Sequence, residues 1–108
     1  MFAAMHGPRQ PGFPEFVDFV RGCERCWVKL TGAYRISLEP GFADTAPLAR
    51  ALIDAVPGRV IWGSDYPHLS FADKVDSKQL FALLHEWAPD AAARERILSQ
   101  NPRRCFGF

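Results

Sequence analysis

The sequence predicts an α/β domain in which two parallel strands are joined by a helix. Two short apolar runs, residues 26–31 and 59–64, have the length and composition of strands, and amphipathic segments precede, separate and follow them. Strands that alternate with helices pair in parallel through right-handed crossovers. The carboxyl ends of both strands are therefore expected at one edge of the sheet.

The first half of the chain contains a helix and a strand. Pro14 suits the first turn of a helix, and Gly22 ends it. The strand at residues 26–31 follows, and a loop extends from there to Gly41. The apolar positions of the helix are Phe16, Val17, Phe19 and Val20.

The second half continues the alternation. A helix begins at Asp44 or Thr45 and ends at Pro57-Gly58, and the strand at residues 59–64 follows it. Two more helices come after a loop. The first carries Leu80, Phe81, Leu84 and Trp87, and the second, capped by Asp90, carries Ile97 and Leu98 and is expected to end at Asn101-Pro102.

Composition limits the classes of function. The chain has 108 residues, 13 of them basic and 12 acidic, so its formal charge of +1 gives no electrostatic reason to bind nucleic acid or an anionic membrane surface. No apolar run approaches the roughly 20 residues of a membrane span. The first residues lack the basic flank and apolar core of a signal peptide. We therefore expect a cytoplasmic protein.

Cys23 and Cys26 have the C-x-x-C spacing of a zinc-binding or redox pair. A zinc ribbon would need a second pair, and only Cys105 remains. A thioredoxin-like pair begins a helix, whereas this pair follows the helix end at Gly22. The sequence favours cysteines that pack as small buried apolar residues.

The second strand ends in a cluster of reactive side chains. Asp65, Tyr66 and His68 follow one another closely in VIWGSDYPH, residues 60–68. Parallel α/β proteins bind ligands beyond the carboxyl ends of their strands. Asp65 therefore stands at the end of its strand where chemistry is expected.

Several blocks of this sequence resemble one family. They are WVKLTGAYR at 27–35, FADTAPLA at 42–49, WGSDYPH at 62–68 and NPRRCFGF at 101–108. The chain resembles the amidohydrolase-related (amidohydrolase 2) TIM-barrel hydrolases, in particular their 2-pyrone-4,6-dicarboxylate lactonase-like branch. The resemblance implies the C-terminal portion of a (β/α)₈ TIM barrel, with two parallel strands and about four helices, over residues 1–108. A complete barrel takes about 250 residues, and the family's His-x-His on the first strand has no match here.

The resemblance also implies roles for individual residues. Asp65 matches the general base that activates the hydrolytic water, and in metal-dependent members this residue contacts a divalent metal such as zinc. The lactonase-like branch requires no metal. Arg35 matches a position that binds a substrate carboxylate, or is a solvated loop arginine. Tyr34 either hydrogen-bonds the same ligand or packs in the loop.

Histidine and lysine positions leave alternatives open. His68 either contacts substrate and assists Asp65, or fixes its own turn. His6 falls one place after the position, here Met5, that matches a ligand-contacting histidine of the family. Lys29 shares a strand face with Trp27 and Thr31 and, inside a barrel, would need a buried partner.

Two hypotheses for function follow. In the first, the chain is part of a hydrolase that opens a lactone or carboxylic ester of a small carboxylate-bearing substrate, inactive alone because its N-terminal half is missing. In the second, it is a noncatalytic remnant or an interaction module that associates with itself through exposed strand edges. A barrel fragment also exposes apolar surface, which we expect Val28, Leu30, Ile61 or their neighbours to line.

Overall fold

The computed structural model describes residues 2–66 and 75–107. In these ranges the α-helices are α1 Phe13–Gly22, α2 Ala33–Ile36, α3 Ala46–Ala55, α4 Ser77–Trp87, α5 Ala91–Glu95 and α6 Asn101–Phe106. The strands are β1 Val28–Leu30 and β2 Val60–Trp62. Short 3₁₀-helices occupy Ala4–His6 and Pro40–Thr45, and one π-helical stretch, Arg96–Gln100, separates α5 from α6.

The predicted parallel pair of strands is confirmed. β1 and β2 are adjacent and parallel, with Val28 opposite Val60 and Leu30 opposite Trp62. The backbone N–H of Val28 donates to the carbonyl of Arg59 at 2.9 Å, and the N–H of Gly63 donates to the carbonyl of Leu30 at 3.2 Å. Because the two strands are parallel, the chain leaves the sheet at the same edge after each of them, and α3 lies on the connection between them.

The buried core lies between the sheet and the helices. Val28 and Leu30 belong to it, together with Val60, which is fully buried. The other core contacts come from α3, α4 and the C-terminal segment, through Leu48, Leu52, Leu80, Leu84, Trp87 and Ile97. The helices thus cover the face of β1 that carries Val28 and Leu30.

The prediction of an exposed apolar surface is wrong for Val28, Leu30 and Ile61 themselves. Val28 is 9% exposed, Leu30 7% and Ile61 8%. Strand alternation explains β1, because its two apolar residues point toward the helices and only Lys29 points the other way. Among the described residues, the large apolar side chains that are exposed are Met5, Phe16, Phe19, Leu38, Tyr66, Phe81, Leu98 and Phe106.

The predicted end of the C-terminal helix at Asn101-Pro102 is wrong. The helix continues as α6 to Phe106. Pro102 has no N–H with which to continue an α-helical ladder. The π-helical turn at Arg96–Gln100 lies immediately before it, and α6 then begins with proline in its first turn. The loop predicted over residues 32–41 is also partly helical, since it contains α2 and the start of the second 3₁₀-helix.

Side chains cap the starts of two helices, and the start of a third is bonded to a neighbouring helix. The predicted cap of α5 is confirmed, because the Asp90 carboxylate accepts from the N–H of Ala92 at 3.2 Å. Asp76 caps α4 in the same way. Thr45 precedes α3, and its hydroxyl accepts a bond from the indole N–H of Trp87 at 3.1 Å. This last contact ties the start of α3 to the end of α4.

The cysteine prediction is confirmed in part. Cys23, Cys26 and Cys105 are free thiols, and each is half-buried rather than fully buried, but Cys26 packs against the hydrophobic core. Cys23 and Cys26 lie in the turn that connects α1 to β1. In the described part of the chain, no helix has the length and apolar composition needed to cross a membrane.

Candidate active site

The candidate site lies beyond the carboxyl ends of both strands. Asp65 comes three residues after β2, and Tyr34 and Arg35 lie in α2, shortly after β1. The φ angle of Asp65 is 59°, in the left-handed region that few non-glycine residues adopt and that aspartate tolerates better than most. This conformation turns the chain sharply after β2.

Three side chains meet at one carboxylate oxygen. The Tyr34 hydroxyl donates a hydrogen bond to Oδ2 of Asp65. Nε of Arg35 donates to the same oxygen at 3.2 Å. The Arg35 guanidinium also lies over the Tyr34 ring, 5.3 Å from its centroid. The prediction that Asp65 and Arg35 share one edge of the sheet is confirmed.

Gly32 is favoured here by its backbone conformation. Its φ of +67° lies in the left-handed region that other residues rarely adopt, whereas a Cβ there would make only ordinary van der Waals contacts, 3.5 Å from Cδ of Arg35 and 3.7 Å from Oδ2 of Asp65. α2 begins directly after Gly32. Within this short helix, Tyr34 is 5% exposed whereas Arg35 is exposed, so the tyrosine packs inward and the arginine reaches solvent.

The electrostatics of the cluster favour a neutral phenol beside an ion pair. Burial, and then the hydrogen bond to Asp65, raise the pKa of Tyr34 above its ordinary value. The hydrogen bond to Asp65 raises the pKa of Arg35, which stays cationic. The Arg35 and Asp65 side chains are 38% and 36% exposed. Because water screens such a pair, its contribution to stability is at most about 1 kcal/mol.

Lys29 and Gly63 form a second contact that sequence reasoning missed. Lys29 is on the sheet face opposite Val28 and Leu30, where it pairs in register with Ile61. Its side chain crosses Gly63, where a Cβ would lie only 2.3 Å from Cε and 3.1 Å from Nζ of the lysine. Gly63 therefore permits the lysine to extend along the sheet toward the end that carries Asp65. Gly63, the glycine of WGSD at residues 62–65, is the sequence feature from which the contact with Lys29 could have been predicted.

Of the two predicted histidines, only His6 lies among the described residues, and it is not joined to this cluster. His6 ends the first 3₁₀-helix and is exposed, and in the described residues no hydrogen bond or ion pair connects it to Asp65 or Arg35. His68 lies outside the described residues. The chain start does approach the site, because Phe2 and Ala3 line a shallow cavity of about 290 Å³ with Arg35, Ile36 and Leu38.

The described residues do not fit a divalent metal. Oδ2 of Asp65 is engaged by a phenol and by a cationic guanidinium, whereas a metal site gathers several anionic or neutral donors. Within residues 2–66 and 75–107, no group of three histidine, cysteine or acidic side chains is close enough to hold an ion. We derive no step of the chemistry through a metal.

Comparison with known proteins identifies the family. The amidohydrolase family model (Amidohydro_2) matches residues 2–108. The chain belongs to this family. It is 47% identical over 105 residues to the 4-sulfomuconolactone hydrolase of Hydrogenophaga intermedia, covering 94% of this chain and 34% of that protein. It is 34% identical over 104 residues to the D-galactarolactone isomerase of Agrobacterium fabrum, covering 93% and 34%.

A solved structure supports the same relationship. A crystal structure from Pseudomonas putida, assigned as a 2-pyrone-4,6-dicarboxylic acid hydrolase, superposes with a TM-score of 0.81 and 28% identity, covering 97% of this chain and 39% of that one. The fold is therefore the C-terminal portion of a TIM barrel, as predicted. The chain spans about a third of the length of the curated relatives it matches.

Proposed function

We propose that this chain is the C-terminal part of an amidohydrolase-family enzyme that hydrolyses a lactone or carboxylic ester of an anionic substrate. The observation that carries this proposal is the convergence of Arg35 and Tyr34 on Oδ2 of Asp65 at the carboxyl end of the sheet. It combines a carboxylate that can accept a proton with a cation that can hold an anionic group. The relative named 4-sulfomuconolactone hydrolase supports this reaction class, and the relative named D-galactarolactone isomerase supports only a lactone substrate.

Asp65 is the proposed general base. About a third of its side chain is exposed, so water reaches the carboxylate. As the water oxygen bonds to the substrate carbonyl carbon, the carboxylate takes a proton from that water. When the tetrahedral intermediate collapses, the ring C–O bond breaks, and the leaving oxygen takes up the proton that Asp65 accepted, which regenerates the carboxylate. The product carries a new carboxylate and a hydroxyl or its keto tautomer.

Arg35 is the proposed substrate-binding residue. A guanidinium forms paired hydrogen bonds with carboxylate or sulfonate groups. Since Nε of Arg35 is 3.2 Å from Asp65, an anion bound to this guanidinium would lie beside the base. Positioning of this kind supplies much of the rate of an enzyme.

Tyr34 is the proposed orienting group for both charged residues. Its hydroxyl donates to Asp65, and its ring supports the guanidinium of Arg35. Its raised pKa keeps the phenol protonated, and therefore a donor, at neutral pH. His6 and His68 stay proposed substrate contacts.

A chimeric barrel tests the proposal. In the 4-sulfomuconolactone hydrolase of H. intermedia, the matching third is replaced by this chain, and hydrolysis of 4-sulfomuconolactone and 2-pyrone-4,6-dicarboxylate is measured. We expect turnover that Asp65→Asn lowers by at least about 10²-fold. We expect Arg35→Met to raise KM more than it lowers kcat. Asp54→Asn and Arg96→Met, which change exposed charges on helices away from the site, are the matched controls.

Retention of full turnover by the Asp65→Asn chimera would exclude the aspartate as the base. An equal effect of Arg35→Met on an uncharged lactone and on a charged one would exclude its role in binding an anion. The 108-residue chain alone is expected to show no turnover, because the rest of the substrate pocket would come from other barrel strands.

The remaining part of the barrel is the proposed partner of this chain. An apolar cavity of about 250 Å³ lies beside β1, lined by Phe13, Phe16, Leu30, Leu48 and other residues. An unpaired strand edge next to apolar side chains favours a further strand from the rest of a barrel or, in the alternative function as an interaction module, from a second copy. Sedimentation of the isolated chain distinguishes a monomer from a self-associated form. A cytoplasmic location stays a prediction.

A further inference from the structure

Cys23 and Cys26 form a thiol pair at the end of the sheet opposite the candidate active site. They occupy the first and last positions of a four-residue turn, which is closed by a hydrogen bond of 3.1 Å from the N–H of Cys26 to the carbonyl of Cys23. Such turns bring their end Cα atoms within about 7 Å. Disulfides join Cα atoms about 4.4–6.8 Å apart, so this turn is compatible with a bond between the two sulfurs.

Both thiols are free and partly accessible, because each side chain is half-buried. The turn places them near each other, and each thiol shifts the pKa of the other. A guanidinium lies beside them, because Arg59 donates to the Cys23 carbonyl and, at 3.0 Å, to the carbonyl of Val20. Arg59 thereby caps the carboxyl end of α1 and carries a positive charge to the pair.

These contacts make the two cysteines chemically different. Hydrogen bonds from the Cys26 thiol and from the N–H of Arg25 lower the pKa of Cys23, and the charge of Arg59 acts in the same direction. The same thiol–thiol bond raises the pKa of Cys26. A thiol with a lowered pKa is the better nucleophile near neutral pH because more of it is thiolate.

We propose that Cys23 and Cys26 are a redox-active dithiol that forms a reversible intrachain disulfide by exchange with a low-molecular-weight disulfide such as oxidised glutathione. The Cys23 thiolate attacks one sulfur of the small disulfide, forms a mixed disulfide and expels one thiolate. Cys26 then loses its proton, attacks Sγ of Cys23 and expels the second thiolate. Two protein thiols are oxidised, and one small disulfide is reduced to two thiols.

The disulfide would act on the junction between α1 and the start of β2. The carbonyl of Cys23 accepts bonds from both Arg59 and the N–H of Cys26, so the turn that would be closed already connects these elements. The proposal does not depend on the proposed hydrolase function. Because cytosolic thiols are kept mostly reduced, the oxidised form would be regulatory rather than structural.

Peptide mapping tests the proposal directly. The chain is equilibrated in glutathione buffers of increasing oxidised fraction, quenched in acid and alkylated. Trypsin cleaves after Arg25, between the two cysteines, so an intrachain disulfide gives two linked peptides, residues 22–25 and 26–29, that separate on reduction. We expect this linked product to accumulate while Cys105 stays alkylated. Cys105→Ser is the matched control and should leave the yield unchanged.

Single variants test the order of attack. Cys26→Ser should accumulate the mixed disulfide of Cys23 with glutathione, whereas Cys23→Ser should form its mixed disulfide several-fold more slowly at pH 7. The same exchange in urea-unfolded chain should give a lower yield of the linked product at each buffer ratio. Equal yields in folded and unfolded chain, full alkylation of both cysteines in oxidising buffer, or linkage to Cys105 would each overturn the proposal.

Discussion

Replacing Asn101 with alanine should destabilise the fold, because it removes the donor of two hydrogen bonds. Asn101 is 2% exposed, and its amide nitrogen donates to the carbonyls of Val60 at 2.8 Å and Pro57 at 2.9 Å. The carbonyls of Arg59 and Ile61 point toward β1, so that of Val60 points to the outer edge of β2. Asn101 therefore donates to a carbonyl at the edge of β2 that pairs with no strand among the described residues.

The magnitude follows from these two bonds. Each is worth about 1 kcal/mol net, and leaving the buried carbonyl of Val60 without a donor costs about 1–3 kcal/mol. The carbonyl of Pro57 is partly buried and can be rehydrated at lower cost. We expect Asn101→Ala to lower the free energy of unfolding by about 2–4 kcal/mol, a large part of the roughly 5–15 kcal/mol of an ordinary domain.

Urea denaturation followed by circular dichroism measures this change, with an unchanged m-value as the check that the unfolded state is the same. Asn101→Asp keeps the shape, removes the donor and should be at least as harmful. Gln100→Ala, at the exposed preceding position, is the control. A loss below about 0.5 kcal/mol for Asn101→Ala would refute the argument that the edge carbonyl needs this donor.

Three further changes have defined outcomes. Gly63→Ala should change the free energy of unfolding by no more than about 0.5 kcal/mol, because the added Cβ meets only the flexible end of the exposed Lys29 side chain, which can move aside; a loss above about 1 kcal/mol that persists in a Lys29→Ala background would show that the methyl group clashes with something other than the lysine. Because folding raises the pKa of Tyr34, its stabilising effect is complete below about pH 10 and is lost as pH rises through the folded value, so Tyr34→Phe should flatten the alkaline fall in the free energy of unfolding; an unchanged pH profile would argue against it. Asp76→Ala should cost about 1 kcal/mol by removing the cap of α4, whereas Asp76→Ser should restore most of it; equal losses would show that the cap contributes nothing.

The sequence by itself determined the order of elements and the edge at which the candidate site lies. Alternating strands and helices allow one parallel arrangement, and this arrangement alone puts Asp65 and Arg35 at the same edge. The cap at Asp90 was also readable, because capping depends on neighbours in the chain. A local sequence pattern is sufficient to predict a feature that depends on residues close together in the chain.

Tertiary structure decided the features that depend on contacts across the chain. Only packing shows that the Tyr34 hydroxyl donates to Asp65, 31 residues away, and that Lys29 extends over Gly63. It also decided burial: Val28 and Leu30 are covered because helices pack on their face of β1. The helix passes through Asn101-Pro102 because the buried Asn101 amide binds two distant carbonyls, a contact that proline's local preference does not reveal.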